Sequence, residues 1–182
     1  MGRKPRNWNQ AEYYHVYNRG IRKEGLFRHP KDYEYFLGLI ERTFNKHPVT
    51  ITSYCLMKTH YHIQIQSHSG PLSDFMKNLT RMYALYYNRT YKLRGPVFEG
   101  RFNAKPISDP RGMLHVSRYI HFNPVVSRLT KKPENYQWSS YTFYYHLNSP
   151  PPPPYLQLTP ILNFFHGTET QRKQKYVEWC FY

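Results

Sequence analysis

His60 and His62 are separated by one residue within a run, residues 60–67, that reads as a β-strand. Alternate strand residues share a face, so both imidazoles project the same way. Gln64 and Gln66 continue that face, and Tyr61, Ile63 and Ile65 form the other. Imidazole is a common metal ligand, and two on one strand face can grip one ion. Taken alone, such a pair is more often a surface or hydrogen-bonded feature. A second set of residues downstream gives it weight: His115, Tyr119 and Asn123 stand at i, i+4 spacing along one row of a helix. Tyr119 offers a phenolic oxygen, and Asn123, one turn on, an amide oxygen. If this row faces the histidine strand, a third metal ligand and a nucleophile meet at one ion. The chain holds 19 tyrosines, so Tyr119 by itself carries little weight, and Asn favours helix ends. The combination is what points to chemistry.

Several elements must position these residues. The downstream helix starts near Ser108-Asp109-Pro110, where Ser or Asp can cap it and Pro is tolerated. It is expected to end at Asn123, because the residue before Pro124 is pushed out of the helical region. Met113, Val116, Ser117 and Ile120 form its core stripe. Upstream, residues 13–19 read as a strand that Gly20 ends, 30–46 as an amphipathic helix, and 49–57 as a strand forming a hairpin with 60–67. Residues 72–91 read as a long helix carrying Phe75, Met76, Leu79, Tyr83 and Tyr86 at helical spacing. Residues 97–107 suggest a short hairpin around Glu99-Gly100. The order is that of an α+β fold, a ferredoxin-like βαββαβ sandwich with a largely antiparallel sheet and a helical C-terminal tail.

The segments His60-Tyr61-His62 and Tyr119-Ile120-His121-Phe122-Asn123-Pro124-Val125 resemble those of the single-tyrosine HUH transposases, closest to the REP-associated tyrosine transposases. Residues 14–20, 95–102 and 136–141 agree, so the resemblance spans roughly residues 12–145 in the family's order. One departure is Lys58-Thr59, where family members often carry Pro-Asn before the first histidine. The resemblance implies a single-stranded DNA endonuclease and strand transferase: a Mg2+ or Mn2+ ion on His60, His62 and Asn123, and Tyr119 as a catalytic nucleophile forming a 5′-phosphotyrosine. Arg19, Lys58, Arg101 and Lys105 flank the matching segments and are candidate nucleic-acid contacts. Glu99 is expected to pair with a nearby Arg. His115 could help deprotonate Tyr119, with packing the more ordinary role. Gln64 reads equally as support for the ion site or as an exposed polar residue.

Composition fits a polyanion partner. The chain has 182 residues, 26 Lys and Arg against 11 Asp and Glu, a net charge of +15, and 18% aromatic residues. Cations track phosphates and aromatic rings stack on bases, which suits single-stranded DNA; the resemblance adds hairpin-containing repeats. Two cysteines far apart in sequence suggest free thiols and a reducing compartment. With no membrane-length apolar run and no signal-peptide pattern, the expected location is cytoplasmic, with no membrane partner and a monomer or homodimer. A noncatalytic single-stranded DNA-binding protein of the same fold is the alternative. A nucleotidyltransferase using a histidine nucleophile is a weaker one, because it leaves Tyr119 and Asn123 idle and expects Pro at position 61.

The expected organisation is a basic arm over residues 1–11, a catalytic domain over 12–149, a polyproline spacer over 150–154 and a helical appendage over 155–182. Within the appendage, 159–165 and 169–179 read as short helices. Tyr176, Val177 and Trp179 are candidates to pack it onto the core.

Overall fold

Four strands, Tyr13–Arg19 (β1), Val49–Leu56 (β2), His60–Ser67 (β3) and Asn103–Ile107 (β4), form one antiparallel sheet in the order β2-β3-β1-β4. The computed structural model describes residues 6–182. Helices Pro30–Phe44 (α1) and Leu72–Thr90 (α2) supply the two crossovers, so the first six elements are the ferredoxin-like βαββαβ unit. The third helix, Pro110–Val126 (α3), follows β4.

Strand alternation divides the sheet into two chemically distinct faces. Val16, Tyr61, Ile63 and Ile65 point to one side and are fully buried, with Phe36 of α1 packed 5.1 Å from the Tyr61 ring. Burying side chains of this size contributes roughly 1.5–3 kcal/mol each. Asp32, in the first turn of α1, accepts the His29 N–H at 3.0 Å and the Tyr86 and Tyr91 hydroxyls of the α2 region at 2.9 and 2.6 Å. One buried carboxylate thereby caps α1 and ties it to α2. The opposite face carries His15, Tyr17, His60, His62 and Gln64, and α3 covers part of it.

The contacts under α3 mix an apolar cluster of Ile120, Cys55 and Met57 with buried polar pairs. Gln64 Nε2 donates to the Met113 carbonyl at 3.1 Å, and Ser53 Oγ and Ser117 Oγ are 2.7 Å apart. Gln64 is fully buried, so it is neither exposed nor at the mouth of the histidine pair: it fastens β3 to α3.

Two expectations about local structure are corrected. The α3 helix does not end at Asn123; it runs through Pro124 to Val126. Proline removes one N–H and disfavours a helical predecessor, but the ladder resumes beyond it: the Ser127 N–H reaches the Asn123 carbonyl at 2.9 Å and the Leu129 N–H reaches the Pro124 carbonyl at 2.9 Å. Asn123 therefore sits inside a helix. Residues 97–107 do not fold on themselves as a hairpin either. Phe98 bridges Gly20, and Asn103–Ile107 pairs with Tyr13–Tyr17, so both halves lie along the same neighbour. The intervening residues bulge outward, and Asn18 Nδ2 donates to the Gly100 carbonyl at 3.1 Å across the gap.

The chain after α3 packs into the same core. Two segments cover the β2 edge: the Leu56 N–H bonds to the Trp138 carbonyl at 2.9 Å, and the Ile51 N–H bonds to the Tyr155 carbonyl at 2.8 Å. Pairing of this kind satisfies backbone groups that an edge strand leaves open. Three further helices, Tyr141–Tyr145 (α4), Thr159–Leu162 (α5) and Glu169–Trp179 (α6), complete the chain. Tyr176 of α6 is fully buried, and its hydroxyl lies 2.7 Å from both Ser117 Oγ and His121 Nδ1 of α3. His121 Nε2 in turn meets Ser140 Oγ at 2.8 Å. This buried relay fixes α3 from behind. Within the segment expected as a basic arm, Trp8 packs on the Tyr14 and Phe102 rings at 5.0 and 6.1 Å; residues 1–5 lie outside the described residues. Among the described residues, no helix is long and apolar enough to cross a membrane.

Candidate active site

The β1–β3 register sets Tyr17 opposite His62, His15 opposite Gln64 and Arg19 opposite His60. On the other side of β1, Lys105 stands opposite His15 and Asn103 opposite Tyr17. Alternation places all of these on one face, and α3 lays Tyr119 against it. The His60 and His62 rings are 5.0 Å apart and nearly perpendicular; the His62 and Tyr119 rings are 5.4 Å apart. Tyr119 is 52% exposed while His62 is buried, so the phenol stands at the mouth of the site and the imidazole at its base. Both border a cleft of about 640 Å³ that also meets Tyr17, Arg19, Glu99 and Arg101.

Each histidine of the pair has a partner on Nδ1. Thr59 Oγ1 lies 3.0 Å from His60 Nδ1, and His15 Nε2 lies 2.9 Å from His62 Nδ1. His62 therefore keeps Nε2 for the cleft, while His60 also hydrogen-bonds the Asn123 side chain. Burial lowers the His62 pKa to about 3, with His15 and His60 adding to the effect. Burial also lowers His60, opposed by a hydrogen bond that the Asn123 side chain accepts from the ring and assisted by Arg19. Burial and then the Lys105 ammonium push His15 down to about 4. The three rings are thus neutral near pH 7, the form that carries a lone pair for a metal.

Asn123 is buried and interacts with His60. Among the described residues, no three His, Cys, Asp or Glu side chains group as a metal site. A cation here would have two imidazoles, the Asn123 amide oxygen, and otherwise water or substrate oxygens. That donor set fits Mn2+ well and Mg2+ when phosphate supplies oxygen.

The candidate phosphate contacts are placed differently from one another. Arg19 and Arg101 line the cleft, with Arg19 Nε 3.6 Å from Glu99 Oε1 across its rim. Lys105 stands beside His15. Lys58 is exposed and lies outside the cleft lining; its carbonyl accepts the Leu26 and Phe27 N–H groups at 2.8 and 3.0 Å. His115 packs on Trp179, with ring centroids 5.4 Å apart. The residue that sequence reasoning missed is His15. It lies within the matching segment 14–20, but its place in the site depends on β1 being the neighbour of β3, and nothing in the spacing of a single strand reveals that.

Comparison with known proteins agrees with this architecture. The family described as "Transposase IS200 like" matches residues 9–123. Seven solved chains match in fold. One of them, described as a REP-associated tyrosine transposase bound to a REP hairpin, has a TM-score of 0.68 and 14% identity, covering 84% of this chain and 93% of that one. No curated protein sequence matches at a significant level. The matched segment runs from the residues before β1 to Asn123 and includes the histidine pair and Tyr119, and by that match the chain belongs to the IS200-like transposase family.

Proposed function

We propose that this protein cuts and rejoins single-stranded DNA, using a divalent cation held by His60, His62 and Asn123 and Tyr119 as nucleophile. The observation that carries this reading is the meeting of Tyr119 and His62 across one cleft, with ring centroids 5.4 Å apart, His62 engaged through Nδ1 by His15, and His60 beside the Asn123 amide. The bound ion supplies Lewis-acid polarisation of the scissile phosphate.

The protein's own groups do the rest. Tyr119 Oη attacks phosphorus, forming the tyrosine O–P bond as the P–O3′ bond breaks. The phenolic proton passes to solvent and the departing 3′ oxygen is protonated, leaving a 5′-phosphotyrosine and a free 3′-hydroxyl. A 3′-hydroxyl entering the same cleft reverses the step, and because one phosphodiester replaces another, no ATP is needed. Arg19, Arg101 and Lys105 hold flanking phosphates, with Lys58 further out along the surface. The partner is a single strand beside a hairpin; the related solved structure, described as bound to a REP hairpin, supports that choice.

The test is cleavage of labelled hairpins with single-stranded flanks drawn from repeats that neighbour the coding region. Nicking that requires Mn2+ or Mg2+ and stops with chelator is expected. Tight hairpin binding with no nick on any such substrate would instead mark a noncatalytic DNA-binding protein.

A further inference from the structure

The His15–His62 contact constrains the site in a way that packing alone does not. Two neutral imidazoles whose facing nitrogens lie 2.9 Å apart share one hydrogen between them, so the pair has two arrangements. In the first, His15 donates from Nε2, and His62 must then carry its own proton on Nε2, toward the cleft. In the second, His62 donates from Nδ1 to His15 Nε2, which leaves a lone pair on His62 Nε2. Only the second can face a cation. His60 is held by a different device: its Nδ1 meets the Thr59 hydroxyl, 3.0 Å away, which can accept whatever the ring donates. The hydroxyl stands in the Lys58-Thr59 pair that precedes the strand.

We propose that His15 is a positioning residue that accepts the Nδ1 proton of His62 and so aims the His62 Nε2 lone pair into the cleft as a metal ligand. The inference rests on the reading of His60 and His62 as ligands. His15 does not touch the ion in this arrangement, since its Nε2 is occupied by His62. Its ring also stands edge-on to Tyr119 at 5.6 Å, so the residue that orients the ligand also buttresses the nucleophile. Partners of this kind orient ligating imidazoles, and their removal typically lowers metal affinity about 10–100-fold.

The test uses the full chain with 15N-labelled histidine and Mn2+ alone as probe. Long-range 1H–15N correlation on metal-free protein reads the tautomer of each ring, and the spin resonance of free Mn2+ reads affinity. In the wild type, His62 is expected as the Nδ1–H tautomer. His15→Phe should shift His62 away from it and weaken Mn2+ binding about 10–100-fold. His15→Gln, whose Oε1 can accept the same hydrogen, should restore the tautomer and most of the affinity. An Nε2–H tautomer in the wild type, equal Mn2+ affinity in His15→Phe, or no rescue by Gln overturns the proposal; the first of these needs no variant to fold. His62→Ala separates the two levels. If it abolishes Mn2+ binding while His15→Phe does not weaken it, the role of His15 is wrong and the ligand reading stands. If wild-type Mn2+ binding ignores His62→Ala, both fail.

Discussion

Tyr119 of α3 stands 5.4 Å, ring centre to ring centre, from His62 of β3, edge to face at 82°. Strand pairing carries the histidines, and a helix on the same face of the sheet carries the tyrosine. The relationship therefore depends on how α3 docks on the sheet, which makes it sensitive to residues behind the helix as well as to those in the cleft.

The proposed ion site on His60, His62 and Asn123 predicts metal dependence. His60→Ala and His62→Ala should each lower Mn2+-dependent nicking by more than the roughly 10–100-fold expected for an outer partner. In crystals soaked with manganese, anomalous density should sit between His60, His62 and Asn123. Ordered side chains with density elsewhere would contradict the assignment.

Phosphate contact at the cleft predicts a salt signature. Arg101→Ala should weaken binding of single-stranded DNA and flatten the plot of log affinity against log salt by about 0.7, the value for one phosphate on a single strand. Fluorescence anisotropy across a salt series measures this. An unchanged slope would remove Arg101 from the DNA path.

The support behind α3 predicts a stability effect. The Tyr176 hydroxyl meets both Ser117 Oγ and His121 Nδ1 at 2.7 Å in a fully buried setting. Tyr176→Phe leaves those two groups short of a partner and should cost about 1–3 kcal/mol in urea unfolding. A loss below ~0.5 kcal/mol would mean that the relay contributes little net stability.

Acid sensitivity should be traceable to His121. Burial lowers its pKa from 6.5 to about 3, so the unfolded chain binds a proton that the folded protein refuses. Its contribution is fully present above pH 6.5 and is lost as pH falls toward 3, at up to about 1.4 kcal/mol per pH unit. Half-buried His15 and His60 and buried His62 are lowered in the same direction, so the comparison must be with a variant. His121→Gln should be less stable than wild type at pH 7.5 but lose less stability between pH 7.5 and 5. Parallel declines would show that His121 does not carry the effect.

Much of this was legible from local pattern. Period-two alternation put His60 and His62 on one face, and helical spacing put Tyr119 and Asn123 on one row, because both periods are properties of the backbone. Three features were not legible. Pro124 reads as a stop, yet the Ser127 and Leu129 N–H groups beyond it reach the Asn123 and Pro124 carbonyls and the helix continues. Glu99-Gly100 reads as a turn, yet β1 offers a longer ladder to both flanking segments than they offer each other. His15 reads as one strand residue among several, and only the β1–β3 register brings its Nε2 to His62.

In the proposed reaction Tyr119 becomes covalently joined to DNA. The most direct measurement is denaturing electrophoresis of the protein incubated with Mn2+ and end-labelled DNA carrying a site that the wild type nicks, followed by mass spectrometry of the labelled peptide. The wild type should yield an SDS-resistant adduct on Tyr119. Tyr119→Phe, which removes one exposed hydroxyl, should bind DNA and unfold like wild type but form no adduct. An adduct at the wild-type rate in Tyr119→Phe, or DNA mapped to another residue, would contradict the account.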